Sequence, residues 1–254
     1  MELDGKIVII TGANTGVGLE TAVNLAKRNA RVILACRSVE KGETAAVEVR
    51  RRSGNDNRVF VQQDLASLDS VRKCAAKILE EEPRIDILIN NAGLHSPHTS
   101  HTEDGFEKHM GVNHLGHFLL TNLLLDRLKE APSARIINVS SSLYKRCNTF
   151  EFDEMNSDDP KRVGTKKNIA YNQSKLANIL FTRALAKRLV STNVTANVLH
   201  PGVIRTELAR DTISTLSGLR HVSLYHNIKV FTTPSVFCLK GSGEIISFFQ
   251  QGKV

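Results

Sequence analysis

A chain of 254 residues with 41% hydrophobic and 24% charged residues suits one α/β domain with a sizeable core. No apolar run approaches the about 18 residues needed to span a bilayer, there is no secretory signal, and Cys36, Cys74, Cys147 and Cys238 are scattered without Cys-x-x-Cys pairing. A membrane-spanning bundle and a disulfide scaffold are thereby excluded, and although the net charge is +8, no aromatic–basic motif supports nucleic-acid binding.

The first predicted strand is Lys6-Ile7-Val8-Ile9-Ile10-Thr11, a short β-branched run of the kind found in buried parallel strands. It leads into Gly12-Ala13-Asn14-Thr15-Gly16-Val17-Gly18 and then a helix with Leu19, Val23, Leu25 and Ala26 on its inner side. Strand, glycine turn and helix form the context in which a glycine motif binds a nucleotide. Gly12 permits the tight turn, Gly16 lets backbone approach a pyrophosphate, and Gly18 allows close helix–strand packing. The helix N-terminus offers free N–H groups and partial positive charge to the phosphates. The second strand, Arg31 to Ala35, ends in Cys36-Arg37-Ser38. An acidic residue there would grip a ribose 2′-hydroxyl; Arg37 suits a 2′-phosphate and so favours NADP(H) over NAD. Asp64-Leu65, after the third strand (58–62), could meet the adenine edge, or the aspartate could serve as a helix N-cap.

Further strands are predicted near 85–90, 134–140 and 194–199, with helices near 16–29, 39–53, 67–82, 105–130 and 171–190. The alternation predicts a doubly wound parallel sheet, a Rossmann fold with helices on both faces, in a single domain spanning 1–254. The fourth strand ends Asn90-Asn91-Ala92-Gly93, small residues where a cofactor can pass close to backbone. Asn113 interrupts the apolar face of the next helix, and the fifth strand runs into Ser140-Ser141-Ser142. Tyr171 and Lys175 are four residues apart, about one helical turn, so phenol and ammonium share a face. A cation beside a phenol favours the phenolate and lowers its pKa from about 10, which makes a proton donor and acceptor. The six histidines between His95 and His117 match no metal-ligand spacing and are completed by no cysteine or paired carboxylate, so no metal is expected.

In the order Thr11-Gly12-x-x-x-Gly16-x-Gly18, Asn90-Asn91-Ala92-Gly93, Tyr171-x-x-x-Lys175 and Pro201-Gly202, the chain resembles the short-chain dehydrogenase/reductase family over roughly residues 5–210. Glu103-Asp104-Gly105-Phe106, Val112 to Phe118 and Ser174-Lys175-Leu176-Ala177-Asn178 are similar to its retinol dehydrogenase-like branch. The resemblance implies an oxidoreductase using NADP(H) on a hydrophobic alcohol/carbonyl pair, retinol/retinal first among them. Tyr171 would be the general acid/base, and Lys175 would bind the nicotinamide ribose and lower the tyrosine pKa. Ser141, with Ser140 as the second candidate, would hydrogen-bond the substrate oxygen, and Asn113 would anchor a relay water. The cofactor would lie along Gly12, Asn14, Thr15, Gly16, Val17, Gly18, Arg37, Asp64, Leu65, Asn91, Ala92, Gly93, Tyr171, Lys175, Pro201, Gly202, Val203 and Thr206.

Residues 211–254 depart from the family pattern, with Gly243 to Phe249 as a substitute last strand, and the polar run Glu151 to Lys167 reads as a surface insertion. A shortened NADP-binding member with little catalysis and a steroid or xenobiotic carbonyl reductase are the alternatives. The N-terminus lacks the apolar anchor many branch members carry. The expected setting is intracellular, cytoplasmic or peripheral on an endoplasmic reticulum or mitochondrial membrane; peripheral membrane contact and homo-oligomer formation both stay open.

Overall fold

A computed structural model describes residues 2–157, 159–162 and 168–202, together with the backbone of two short strands at 229–231 and 236–238. The elements alternate from the start: β1 (Ile7–Thr11), α1 (Gly16–Ala26), β2 (Arg31–Cys36), α2 (Val39–Ser53), β3 (Arg58–Gln62), α3 (Leu68–Glu81) and β4 (Ile87–Asn90). A short α4 (Lys108–Met110), a π-helical turn at Gly111–Leu115 and α5 (Gly116–Lys129) then lead to β5 (Ala134–Val139), α6 (Ile169–Arg188) and β6 (Val194–His200). The strands β7 (Lys229–Phe231) and β8 (Val236–Cys238) complete one sheet of order β3-β2-β1-β4-β5-β6-β7-β8.

The first six strands pair in parallel. Their side chains alternate between two helix-covered faces. Val8, Ile10, Val32, Leu34, Ile87 and Ile89 pack against α1 and α2, while Ile7, Ile9, Ile33, Leu88 and Ile136 pack against α3 and α5. Burial on both faces is why these strands read as unbroken apolar runs in the sequence. Connectivity runs outward from β1 to β3, then restarts at β4 on the other edge of β1. That reversal opens a crevice beyond the carboxyl ends of β1 and β4, where doubly wound sheets bind ligands.

Two features differ from the sequence reading. The helix expected near 105–130 begins at Lys108 and is interrupted by the π turn. β7 and β8 follow β6 in antiparallel pairing, an edge that alternation of strands and helices did not foretell. The described part of the Glu151–Lys167 insertion is tied down: Gln173 donates to the Thr149 carbonyl and accepts from the Glu151 N–H, and Arg162 bonds Glu151 at 2.7 Å. The Gly243–Phe249 segment lies outside the described residues.

Candidate active site

The glycine turn shapes one end of a cleft of about 400 Å³ at the switch point. Gly12 has φ +64°, a left-handed conformation, and a Cβ there would stand 2.9 Å from Ala92. A Cβ at Gly18 would fall 2.4 Å from the Gly12 carbonyl oxygen and 2.6 Å from Asn91 Nδ2, so α1 approaches the turn closely only because the position is bare. Thr15 precedes α1 in an extended conformation with no side-chain cap, and the first turn carries no acidic residue. The leading N–H groups of α1 are thus left for an anion. Thr11 fastens β4 to this turn: its hydroxyl oxygen accepts the Asn91 and Ala92 N–H groups, each at 2.9 Å, while Asn91 Nδ2 donates to the Thr11 carbonyl.

Gly12, Asn14, Thr15, Gly16, Val17, Gly18, Arg37, Asp64, Leu65, Asn91, Ala92, Gly93, Ser141, Tyr171, Lys175, Pro201 and Gly202 all line this cleft. Val203 and Thr206 lie outside the described residues. Sequence reasoning passed over Ser38, Lys41 and Gln63, which also line it. Ser38 caps α2 by accepting the Lys41 N–H, and Lys41 lines the cleft along with Arg37; a capping serine followed by lysine was the available signal. Asp64 is not the helix N-cap that was its alternative role, since Ser67 caps α3; its Oδ1 instead accepts the Ala66 N–H at 2.9 Å in a local turn.

At the other end, α6 presents Tyr171 and Lys175 from its first turns, both deeply buried. Ser141 stands beside the Tyr171 phenol and favours its ionised form. Ser140 is turned inward, its hydroxyl donating to the Lys175 carbonyl at 2.7 Å, which leaves Ser141 as the serine beside the phenol. Lys175 Nζ donates to the Val139 carbonyl at 3.1 Å and stands 5.7 Å from the Tyr171 ring centroid. Burial raises the Tyr171 pKa, and the Ser141 bond offsets this only in part. The shift at Tyr171 is thus upward, opposite to the lowering expected from Lys175. Burial also pushes the Lys175 ammonium down to about 8.

Asn113 is completely buried in the π turn. Its carboxamide brackets the Leu94 backbone (Oδ1 accepting N–H at 2.8 Å, Nδ2 donating to the carbonyl at 3.1 Å) and donates to Ser174 Oγ at 3.0 Å. Ser174 in turn donates to the Tyr171 carbonyl. A single-turn π-bulge widens the helix locally, and here it directs Asn113 across to α6. Gly93 sits at the meeting point, where a Cβ would be 3.3 Å from Lys175 Nζ and 3.4 Å from Asn113 Oδ1.

The histidines serve this scaffold. His117 Nδ1 must donate to the Asn113 carbonyl, which can only accept, so Nε2 accepts the Thr11 hydroxyl at 2.8 Å. Full burial holds that ring neutral, with its pKa pushed down to about 3. His109 accepts the Ser96 N–H and donates to Glu107 at 2.7 Å. His95 sets a T-shaped contact on Tyr171 at 5.1 Å. Among the described residues no group of three or more His, Cys, Asp or Glu side chains is placed to hold a metal, and no helix is long and apolar enough to cross a membrane.

The short chain dehydrogenase family profile matches residues 6–149 and 159–217, which include every part of this cleft. The chain belongs to the short-chain dehydrogenase family. Within it, this family member falls in the retinol dehydrogenase-like branch. It is 55% identical to retinol dehydrogenase 13 of Homo sapiens over 211 residues, covering 83% of this chain and 62% of that protein. To retinol dehydrogenase 14 of Mus musculus it is 52% identical over 219 residues, 82% of this chain and 64% of that protein. The chain therefore spans slightly less than two thirds of the length of these relatives. Among solved structures, the Pseudomonas aeruginosa RhlG/NADP active-site complex superposes with a TM-score of 0.67 at 27% identity, covering 84% of this chain and 78% of that one.

The buried Lys175 of this short-chain dehydrogenase gives a stability prediction without any ligand. Its folded pKa, about 8, lies below the ordinary 10.5, so between those values the unfolded chain holds a proton the folded chain has lost. Stability then rises with pH across that window by up to about 1.4 kcal/mol per unit, and the full cost of the buried ammonium is present below pH 8. Urea unfolding of the ligand-free protein between pH 7 and 10 should show this rise, and Lys175→Met should remove it. Parallel profiles for the two proteins would contradict it.

Proposed function

We propose that this chain is an NADP(H)-dependent oxidoreductase that interconverts a hydrophobic alcohol and its carbonyl, with retinol/retinal or a related aldehyde as the substrate. One observation carries the reading: the Tyr171, Ser141 and Lys175 group stands at one end of a cleft whose other end is an uncapped glycine-turn helix. The names of the relatives, retinol dehydrogenases 13 and 14, and the NADP in the solved complex support it.

The residues fit a dinucleotide on structural grounds. The free N–H groups at the start of α1 meet the pyrophosphate, Gly93 leaves backbone bare beside Lys175, and Arg37 with Lys41 provides cationic charge at the adenosine end. A bound nicotinamide would supply or accept the hydride. Everything else falls to the chain. Tyr171, kept protonated by burial, gives its phenolic proton to the carbonyl oxygen during reduction and takes it back during oxidation. Ser141 holds the same oxygen and stabilises the charge that develops on it. Lys175 binds the nicotinamide ribose, and its ammonium stabilises the tyrosinate left after proton transfer. Asn113 holds the Leu94 backbone and the Ser174–Tyr171 link in place, and the water relay from Lys175 is assigned to it. The family resemblance is the ground for assigning Val203 and Thr206 to the nicotinamide, and the setting is intracellular.

Coenzyme preference tests the NADP(H) part. Arg37→Leu should weaken NADPH binding by about 10- to 100-fold, the worth of a charge-assisted bond to phosphate, and leave NADH binding unchanged. Titration of both coenzymes by intrinsic or NADPH fluorescence reads the result. Equal losses for the two coenzymes, or tighter binding of NADH by the unaltered chain, would overturn the preference.

A further inference from the structure

Tyr171 is the third residue of α6, in the turn of a helix that is least constrained, because the leading N–H groups have no intrahelical partners. A side-chain cap would steady that turn, and an asparagine stands in the cap position. Asn168 makes no such cap. Its backbone is left-handed, with φ +50°, a conformation that a residue other than glycine keeps only where its surroundings enforce it. Its carboxamide oxygen accepts instead from His95 Nε2 at 3.0 Å, a contact between residues 73 apart in the chain.

His95 is itself held from both sides. Asn113 brackets the Leu94 backbone, and the Ser96 N–H donates to His109 Nε2 at 3.0 Å. Glu107 fixes the other nitrogen of His109 at 2.7 Å, and both of these side chains are buried. Between those anchors the half-buried His95 ring makes its T-shaped contact with Tyr171, centroids 5.1 Å apart and planes at 89°. The His109 ring stands 6.2 Å from the same phenol, at 85°. One imidazole thus touches both the residue that precedes α6 and the phenol three residues later. Leu94 lines the cleft and His95 does not, so its influence on the reaction runs through Tyr171.

We infer that His95 is a positioning residue for the proton transfer: it joins the loop after β4 to the first turn of α6 and holds the Tyr171 phenol at the angle from which it meets the substrate oxygen. The inference rests on the oxidoreductase reading above and deepens it.

The test is single-turnover oxidation of NADPH by all-trans-retinal in stopped flow, with NADPH titration and Tm measured on the same preparations. His95→Ala should slow the single turnover by about 10- to 100-fold, as expected for a misplaced reacting group, and leave the affinity for NADPH within about twofold. Asn168→Gly removes the carboxamide but suits the left-handed backbone, so it should slow turnover by about 3- to 10-fold at nearly unchanged Tm. Because both act through one contact, the double variant should be no slower than His95→Ala alone. A His95→Ala rate within about threefold of the unaltered chain overturns the inference. So does a loss confined to Tm or to NADPH affinity, which would give His95 a packing role. Losses that multiply in the double variant overturn it as well, since Asn168 would then act on α6 without His95. An unaltered chain that binds NADPH and reduces no carbonyl removes the oxidoreductase reading, and this inference with it.

Discussion

Tyr171→Phe is expected to lower kcat for carbonyl reduction by about 10²- to 10⁴-fold while the Kd for NADPH changes by no more than about twofold. The substitution removes one oxygen and leaves everything that shapes the site. The ring remains buried, the T-shaped contact with His95 at 5.1 Å persists, and Lys175 keeps its bond to the Val139 carbonyl. What disappears is the hydroxyl proposed as the proton source for the substrate oxygen, which is also the group beside Ser141. Ser141 is half-buried and also accepts the Leu143 N–H, so it is not stranded by the change. Stopped-flow or steady-state NADPH consumption gives the rate, and fluorescence titration gives the affinity. A variant that retains more than about a tenth of the rate would show that another group supplies the proton.

Gly18→Ala tests the other end of the cleft. The added methyl would meet the Gly12 carbonyl oxygen at 2.4 Å and Asn91 Nδ2 at 2.6 Å, distances at which backbone must move. Overpacking of this kind costs about 1–3 kcal/mol. The displacement also separates the start of α1 from the turn, and with it the free N–H groups that would hold the pyrophosphate. The expected result is a Tm lower by about 2–4 °C per kcal/mol and at least tenfold weaker NADPH binding. An unchanged affinity would mean that the phosphates bind elsewhere.

The strands were legible because parallel strands buried on both faces must be apolar along their whole length, and β1 through β6 begin and end within about two residues of the apolar runs. The glycine turn was legible because each glycine answers a steric demand that Gly12 and Gly18 meet in the fold. The first turns of α6 were harder: Ala170 through Lys175 are all buried, so the amphipathic pattern that usually marks a helix is missing there. Only the four-residue step from Tyr171 to Lys175 marked it. The π turn around Asn113 leaves no trace in composition, because its extra residue per turn is decided by the bonds Asn113 makes to Leu94 and Ser174. The upward shift at Tyr171 was hidden for a similar reason. Spacing reports that a cation is near, but not that both groups are removed from water.

The proposed role of the phenol, serine and lysine at the end of this cleft is to serve the reduction of a hydrophobic carbonyl by NADPH. The most direct measurement incubates the purified chain with NADPH and all-trans-retinal and quantifies NADPH consumed against retinol formed, with Tyr171→Phe alongside. The account predicts one alcohol per NADPH for the unaltered chain and almost none for the variant. A folded preparation that binds NADPH yet forms no alcohol from retinal, medium-chain aldehydes or steroid ketones would contradict it.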